Sequence, residues 1–117
     1  MRNNSLVTRY KGNPILTKDD VPYPVETVHN AGATKFVGRY ILLFRSHLQN
    51  GRSIIGIARS DDGYKFLVDS KPFMVPSTEG DFSRFEEYGV EDPRICEIDN
   101  VYYITYSAYS RFGVRIA

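Results

Sequence analysis

Tryptophan is absent from this 117-residue chain and cysteine occurs once, at Cys96. A single cysteine cannot close an intrachain disulfide, so noncovalent packing must hold the fold, and a reducing, cytoplasmic compartment is expected. Cys96 lies in a strand-like apolar run and is expected as a small buried hydrophobe rather than a nucleophile. Neither sign of charge is in excess, with 15 basic against 14 acidic residues and a net +1. No basic run is present, so neither nucleic acid nor an anionic membrane is an expected partner. No apolar stretch approaches the ~20 residues that span a bilayer. The opening M-R-N-N-S-L-V-T-R-Y has no apolar core of the kind a secretion signal needs. The two histidines, His29 and His47, have no third partner at metal-binding spacing, so no metal is expected. A Gly-rich phosphate loop, a nucleophile elbow and a cysteine pair are also missing. No segment sustains a 3.6-residue apolar period, which leaves helix a minor component.

What the chain does have is strands. Y-I-L-L-F-R-S (Tyr40 to Ser46) and S-I-I-G-I-A-R-S (Ser53 to Ser60) are β-branched and aromatic, and Asn50-Gly51 marks a turn between them. G-A-T-K-F precedes them, and Y-K-F-L-V follows the Asp61-Asp62-Gly63 turn. Ser60-Asp61-Asp62-Gly63 reads as a turn motif locked by side-chain bonds to its own backbone. Four strands in meander order are thus expected over residues 32–68.

The second half repeats the first. N-A-G-A-T-K-F-V-G-R-Y-I-L-L-F-R-S, from Asn30, aligns with D-P-R-I-C-E-I-D-N-V-Y-Y-I-T-Y-S, from Asp92, at a spacing of 62 residues. Phe36 then meets Ile98, Gly38 meets Asn100, and Tyr40 meets Tyr102. Ile57-Ala58 meets Ile116-Ala117 at 59, so the second copy has a shorter loop. Repeated four-stranded meanders mark a β-propeller, whose blades cannot bury both faces alone. The fold class is therefore all-β, a β-propeller with about one and a half blades present. Residues 1–31 form an N-terminal extension, 32–70 blade one, 71–91 a surface connection, and 92–117 the first half of blade two. The chain is expected to be cut short, and its unclosed sheet edge favours association into a homo-oligomer.

The stretch G-V-E-D-P-R-I (Gly89 to Ile95) places two carboxylates beside a proline and an arginine. Asn30 and Asp92 hold the same place in consecutive copies, each opening an innermost strand, so both are expected in one rim pocket near the propeller axis. Pro93 is expected to bias Asp92 toward extended backbone and so hold its carboxylate direction. For Asp92 the two readings stand level: a solvated strand opening, or an acid held for proton chemistry. Arg45 ends the second strand and either enters that pocket or is a solvated strand end with its stem packed on a tyrosine. Arg94 is a further substrate-binding candidate, although strand alternation also lets it pair with Glu91 or a neighbouring blade.

N-P-I-L (Asn13 to Leu16), H-N-A-G-A (His29 to Ala33), L-L-F-R (Leu42 to Arg45), I-G-I-A-R-S-D-D-G (Ile55 to Gly63) and G-V-E-D-P-R-I together resemble glycoside hydrolase family 130. That family comprises five-bladed β-propeller β-mannoside phosphorylases, with some hydrolases, and the resemblance runs in order from Asn13 to Ala117. It implies that Asp92 is the single catalytic acid and that Asn30 and Arg45 hold the mannosyl ring. It also implies an oligosaccharide or β-mannoside substrate, inverting phosphorolysis to mannose 1-phosphate, and inorganic phosphate as co-substrate with no other cofactor. The family's acid is thought to reach the glycosidic oxygen through a sugar hydroxyl. Where the family often has an acidic residue just after the arginine, Ser46-His47 stand here. The family's phosphate-binding residues lie in later blades. A phosphorylase needs no base, because phosphate is already anionic, so one carboxylate suffices where an inverting hydrolase needs two. Asp92 must be protonated in the complex, so a rim pocket that excludes water should raise its pKa. Two other readings remain: a non-catalytic propeller piece that binds sugar or assembles, and another five-bladed glycosidase.

Overall fold

The two β-rich repeats form two meanders that pack face to face. The computed structural model describes residues 6–117, and the opening M-R-N-N-S lies outside the described residues. The first meander contains β1 (His29–Phe36), β2 (Arg39–His47), β3 (Ser53–Ser60) and β4 (Leu67–Val68). The second contains β5 (Gly89–Ile98), β6 (Val101–Ser110) and β7 (Gly113–Ile116). Neighbours within each meander are antiparallel, and one parallel bridge, Ser53 to Gly89, joins β3 to β5. The helical content among the described residues is one 3₁₀ turn, Lys18–Asp20, capped by Thr17 and Asp20.

The hairpin turns are chemically matched. Val37-Gly38 and Asp99-Asn100 both have two consecutive positive φ angles. That geometry suits the twist of two-residue hairpins and explains why a Gly and an Asn fall at equivalent places. The third turn works differently. Asp62 Oδ1 accepts the N–H groups of Tyr64 and Lys65, while Ser60 Oγ accepts those of Asp62 and Gly63. Two of the amides in Y-K-F-L-V are therefore committed to the turn, and β4 shrinks to Leu67–Val68 rather than the expected five residues.

Both faces of blade one are covered, which is why β2 and β3 read as continuous apolar runs instead of alternating ones. Ile41, Leu43, Ile55 and Ile57 point toward blade two and meet Val90, with Ile95, Ile104 and Tyr106 packed against them. Phe44, Ala58 and Val68 point the other way, against Leu16, Val21, Tyr23 and Val28 of the N-terminal segment. The extension thus covers the blade as a layer. Blade two has such a layer on one face only. Arg94, Cys96 and Ile98 alternate onto its other face and are exposed there. The expected buried Cys96 is corrected for that reason: its strand is apolar, but among the described residues nothing covers its side of the sheet.

The connection between the blades is pinned by a carboxylate. Glu86 is 2% exposed and accepts the Tyr106 hydroxyl at 2.5 Å and the Ser77 N–H at 2.7 Å. Burial first, then the bond and charge of Glu86, push the Tyr106 pKa up to about 12. Blades one and two also touch backbone to backbone at Gly32, where a Cβ would lie 2.7 Å from the Pro93 carbonyl oxygen. A methyl there must push β1 and β5 apart. Gly32→Ala is expected to lower stability by about 1–3 kcal/mol, read as a shift of the denaturant midpoint; an unchanged midpoint would mean that the contact carries no weight.

Candidate functional site

The rim pocket is built by two bulges. Regular pairing of β1 with β2 breaks between His29 and Gly32, and that of β5 with β6 breaks between Glu91 and Arg94. At the break in each strand sits a residue in the left-handed region, Asn30 at φ 49° and Asp92 at φ 51°. Asn and Asp tolerate that conformation better than other non-glycine residues, and bulges beside functional sites re-aim side chains. The expectation that Pro93 holds Asp92 extended is therefore corrected. The bulge places Asp92 in the left-handed region and so overrides the preference of a residue before proline for extended backbone. The equivalence of Asn30 and Asp92 stands, and it extends to backbone conformation.

The side chains meet. Asn30 Nδ2 donates to Asp92 Oδ1 at 2.9 Å, and Arg45 Nη1 donates to the same oxygen at 3.2 Å. Among the described residues, Asp92 Oδ2 receives no hydrogen bond, and the side chain keeps 34% of its surface exposed. Arg45 Nη2 donates to Glu91 Oε1 at 2.8 Å, and Ser53 Oγ donates to that oxygen at 2.8 Å. Arg45 Nε reaches Ser53 Oγ at 3.3 Å. His47 Nε2 lies 3.0 Å from Arg45 Nη2, and its Nδ1 lies 3.0 Å from Thr27 Oγ1. A guanidinium only donates, so Nε2 accepts and Nδ1 carries the hydrogen toward Thr27. One fixed cation therefore lies between two adjacent carboxylates, with a histidine behind it.

The electrostatics follow from this geometry. Desolvation is the largest single influence on Asp92 and raises its pKa. The bonds from Asn30 and Arg45 and the charges of Arg45 and Arg94 together outweigh it, and the net shift is downward. The raised pKa expected for Asp92 concerns the sugar complex; in the ligand-free chain its donors stabilise the anion more than partial burial opposes it. His29, whose ring centroid is 5.3 Å from that of His47, is lowered by burial, then by the charges of Arg45 and His47.

Three of the four residues singled out from sequence, Asn30, Arg45 and Asp92, converge on one point. Arg94 does not join them. It is exposed, its Nη1 donates to the Pro93 carbonyl at 2.8 Å, and only its charge is felt by Asp92. Nor does it pair with Glu91, which is held by Arg45 and Ser53. Ser46 is fully buried on the opposite face of β2, so of the Ser46-His47 pair only His47 reaches the site. Glu91, Ser53 and His47 were not picked out as site residues. Strand alternation was the available signal, since it puts His47 on the same face as Arg45, and β2–β3 pairing then sets Ser53 opposite His47.

Two meanders around one rim, each opened by a bulged polar residue, define a portion of a five-bladed β-propeller with a carboxylate site. Residues 4–117 match the family model described as β-1,4-mannooligosaccharide phosphorylase. The chain belongs to glycoside hydrolase family 130. It is 30% identical over 115 residues to a β-1,2-mannobiose phosphorylase of Thermoanaerobacter sp., covering 88% of this chain and 37% of that one. A 65-residue stretch, 56% of this chain and 17% of its relative, is 44% identical to a β-1,2-mannobiose phosphorylase of Listeria innocua. The Listeria innocua β-1,2-mannobiose phosphorylase, solved with β-1,2-mannobiose, superposes with a TM-score of 0.78 at 26% identity, over 93% of this chain and 46% of that one. A member of the family from work on glycoside hydrolases that target β-1,2-mannosidic linkages in Candida mannan superposes at 0.83, also 26% identical, over 93% of this chain and 36% of that one. The chain thus spans well under two thirds of each relative.

A carboxyl whose pKa falls on folding stabilises the fold above its unfolded-state value, and that contribution is lost as pH falls through the folded value. The Asp92 carboxyl carbon is expected to titrate with a midpoint below about 3.9. Asp92→Asn is expected to flatten the loss of stability below about pH 4. A wild-type midpoint above the ordinary aspartate value would contradict the arrangement of donors.

Proposed function

We propose that this chain forms the first part of an inverting β-mannoside phosphorylase, with Asp92 as its general acid and inorganic phosphate as co-substrate. The observation that carries the reading is the state of the two carboxylates. Glu91 is only 13% exposed and is committed to Arg45 and Ser53, whereas Asp92 is fixed through one oxygen and free at the other. A site with one available carboxylate suits phosphorolysis better than inverting hydrolysis, which needs a second one to activate water.

In the proposed reaction a phosphate oxygen attacks the anomeric carbon from the face opposite the leaving sugar. The bond from that carbon to the glycosidic oxygen breaks as the new carbon–oxygen bond forms. The proton from Asp92 Oδ2 ends on the leaving oxygen, directly or relayed by a sugar hydroxyl, and the products are mannose 1-phosphate and the shortened sugar. Asp92 must be protonated first. A bound mannosyl ring supplies the means, because its hydroxyl oxygens compete for the Nδ2 group of Asn30 and the Nη1 group of Arg45 while the ring excludes water. Both changes raise the proton affinity of the carboxyl. Asn30 and Arg45 therefore serve as ring-binding donors that couple binding to acid strength. Arg94 adds positive potential beside the pocket.

The phosphate-binding cations are proposed to belong to blades outside this chain, so the reading concerns the propeller that it helps to close. In the protein produced from its natural reading frame, supplied with β-1,2-mannobiose and phosphate, Asp92→Asn is expected to reduce release of mannose 1-phosphate by about 10²–10⁴-fold while sugar binding persists. Near-normal turnover in that variant would remove Asp92 from the acid role.

A further inference from the structure

A second concave site lies on the same rim, farther from the axis. It is a cavity of about 490 Å³ whose wall includes Arg52, Arg84, Arg111, Ser77, Thr78 and Phe112. Arg52 immediately precedes Ser53, which bonds Glu91, so the cavity borders the Asp92 cluster without sharing its residues. Asn30, Arg45 and Asp92 do not line it.

Its chemistry is one-sided. Three arginines with Ser77, Thr78 and Ser83 line one space, against a single carboxylate, Glu87, and the Ser83 hydroxyl donates to the Gly80 carbonyl at 2.8 Å. Arg111 holds that carboxylate with two bonds, Nε to Oε2 at 2.8 Å and Nη2 to Oε1 at 2.5 Å. Arg52 and Arg84 form no ion pair among the described residues. Arg84 Cζ lies 4.7 Å over the Phe85 ring centroid, within range of a cation–π contact that leaves its N–H groups available. The Ser77 wall is held in place by the buried Glu86, which takes its N–H. A neutral sugar offers as many donors as acceptors and would find the one carboxylate here occupied. The phosphoryl group of a phosphate monoester dianion offers only acceptors, which matches a wall with two arginines outside any ion pair.

We propose that this cavity binds a phosphate monoester or inorganic phosphate through Arg52 and Arg84, with the hydroxyls of Ser77 and Thr78 completing the contacts. The volume exceeds what a phosphate group alone fills, and exposed Phe112 offers an apolar face for a sugar ring attached to it. The anion site stands on this geometry alone; identifying its occupant with mannose 1-phosphate rests on the proposed reaction, which releases that ester one wall away.

The test is an amide-resolved NMR titration of the protein from its natural reading frame with inorganic phosphate, mannose 1-phosphate and mannose. Saturable shifts at residues 76–78, 83–87 and 111–112 are expected with the two phosphates and not with mannose. Arg52→Ala and Arg84→Ala are each expected to weaken them about tenfold, with Arg52→Gln as a variant that keeps the apolar stem. Tighter binding of mannose 1-phosphate supports the ester as occupant, and equal binding supports phosphate itself. Asp92→Asn is expected to leave the titration unchanged, which separates this site from the catalytic reading. Absence of saturable shifts, or shifts indifferent to both arginines, would overturn the proposal.

Discussion

The guanidinium of Arg45 is the point on which the site depends. Glu91 and Asp92 are neighbours in sequence, and two adjacent carboxylates at a half-buried rim would repel each other and lose their water. Arg45 lies between them with its side chain 17% exposed and gives one N–H edge to each. It belongs to β2 of blade one, and both carboxylates belong to β5 of blade two. The same contact therefore offsets the charge, fixes the direction of Asp92 and ties one blade to the next. Partly desolvated ion pairs repay their cost only when further hydrogen bonds complete them. Here Ser53, Asn30 and His47 do so.

Around that cation the fold repeats one local device. A bulge opens the innermost strand of each blade and turns an Asn or an Asp to the rim in left-handed conformation. Gly32 lets the two bulged strands approach until a side chain would no longer fit. The close approach makes the 2.9 Å bond between Asn30 and Asp92 attainable. Secondary structure, inter-blade packing and the site are thus consequences of the same few residues.

Much of this was legible in the sequence, and the exceptions have physical causes. The third strand, Ser53 to Ser60, has the ends read from its β-branched run and its turn residues. The 62-residue repeat correctly paired Asn30 with Asp92, and their bond spans that interval. Local rules failed where tertiary structure overrides them. Pro93 suggests extended backbone, but the bulge required by the rim decides the conformation of Asp92. Y-K-F-L-V has strand composition, yet Asp62 takes two of its amides. Cys96 sits among apolar residues, and its burial depends on a layer not present among the described residues. Glu91 and His47 looked like ordinary loop or strand-end charges, because their importance comes from Arg45, which approaches them from across the sheet.

The central claim is that Asn30 and Arg45 keep Asp92 ionised until a sugar takes over their hydrogen bonds, so that substrate binding itself prepares the acid. The most direct measurement is the titration midpoint of the Asp92 carboxyl carbon in the protein from its natural reading frame, with and without saturating β-1,2-mannobiose. A midpoint that starts below the ordinary aspartate value and moves upward in the complex is the predicted result. A midpoint that stays in place or falls when the sugar binds would contradict the account.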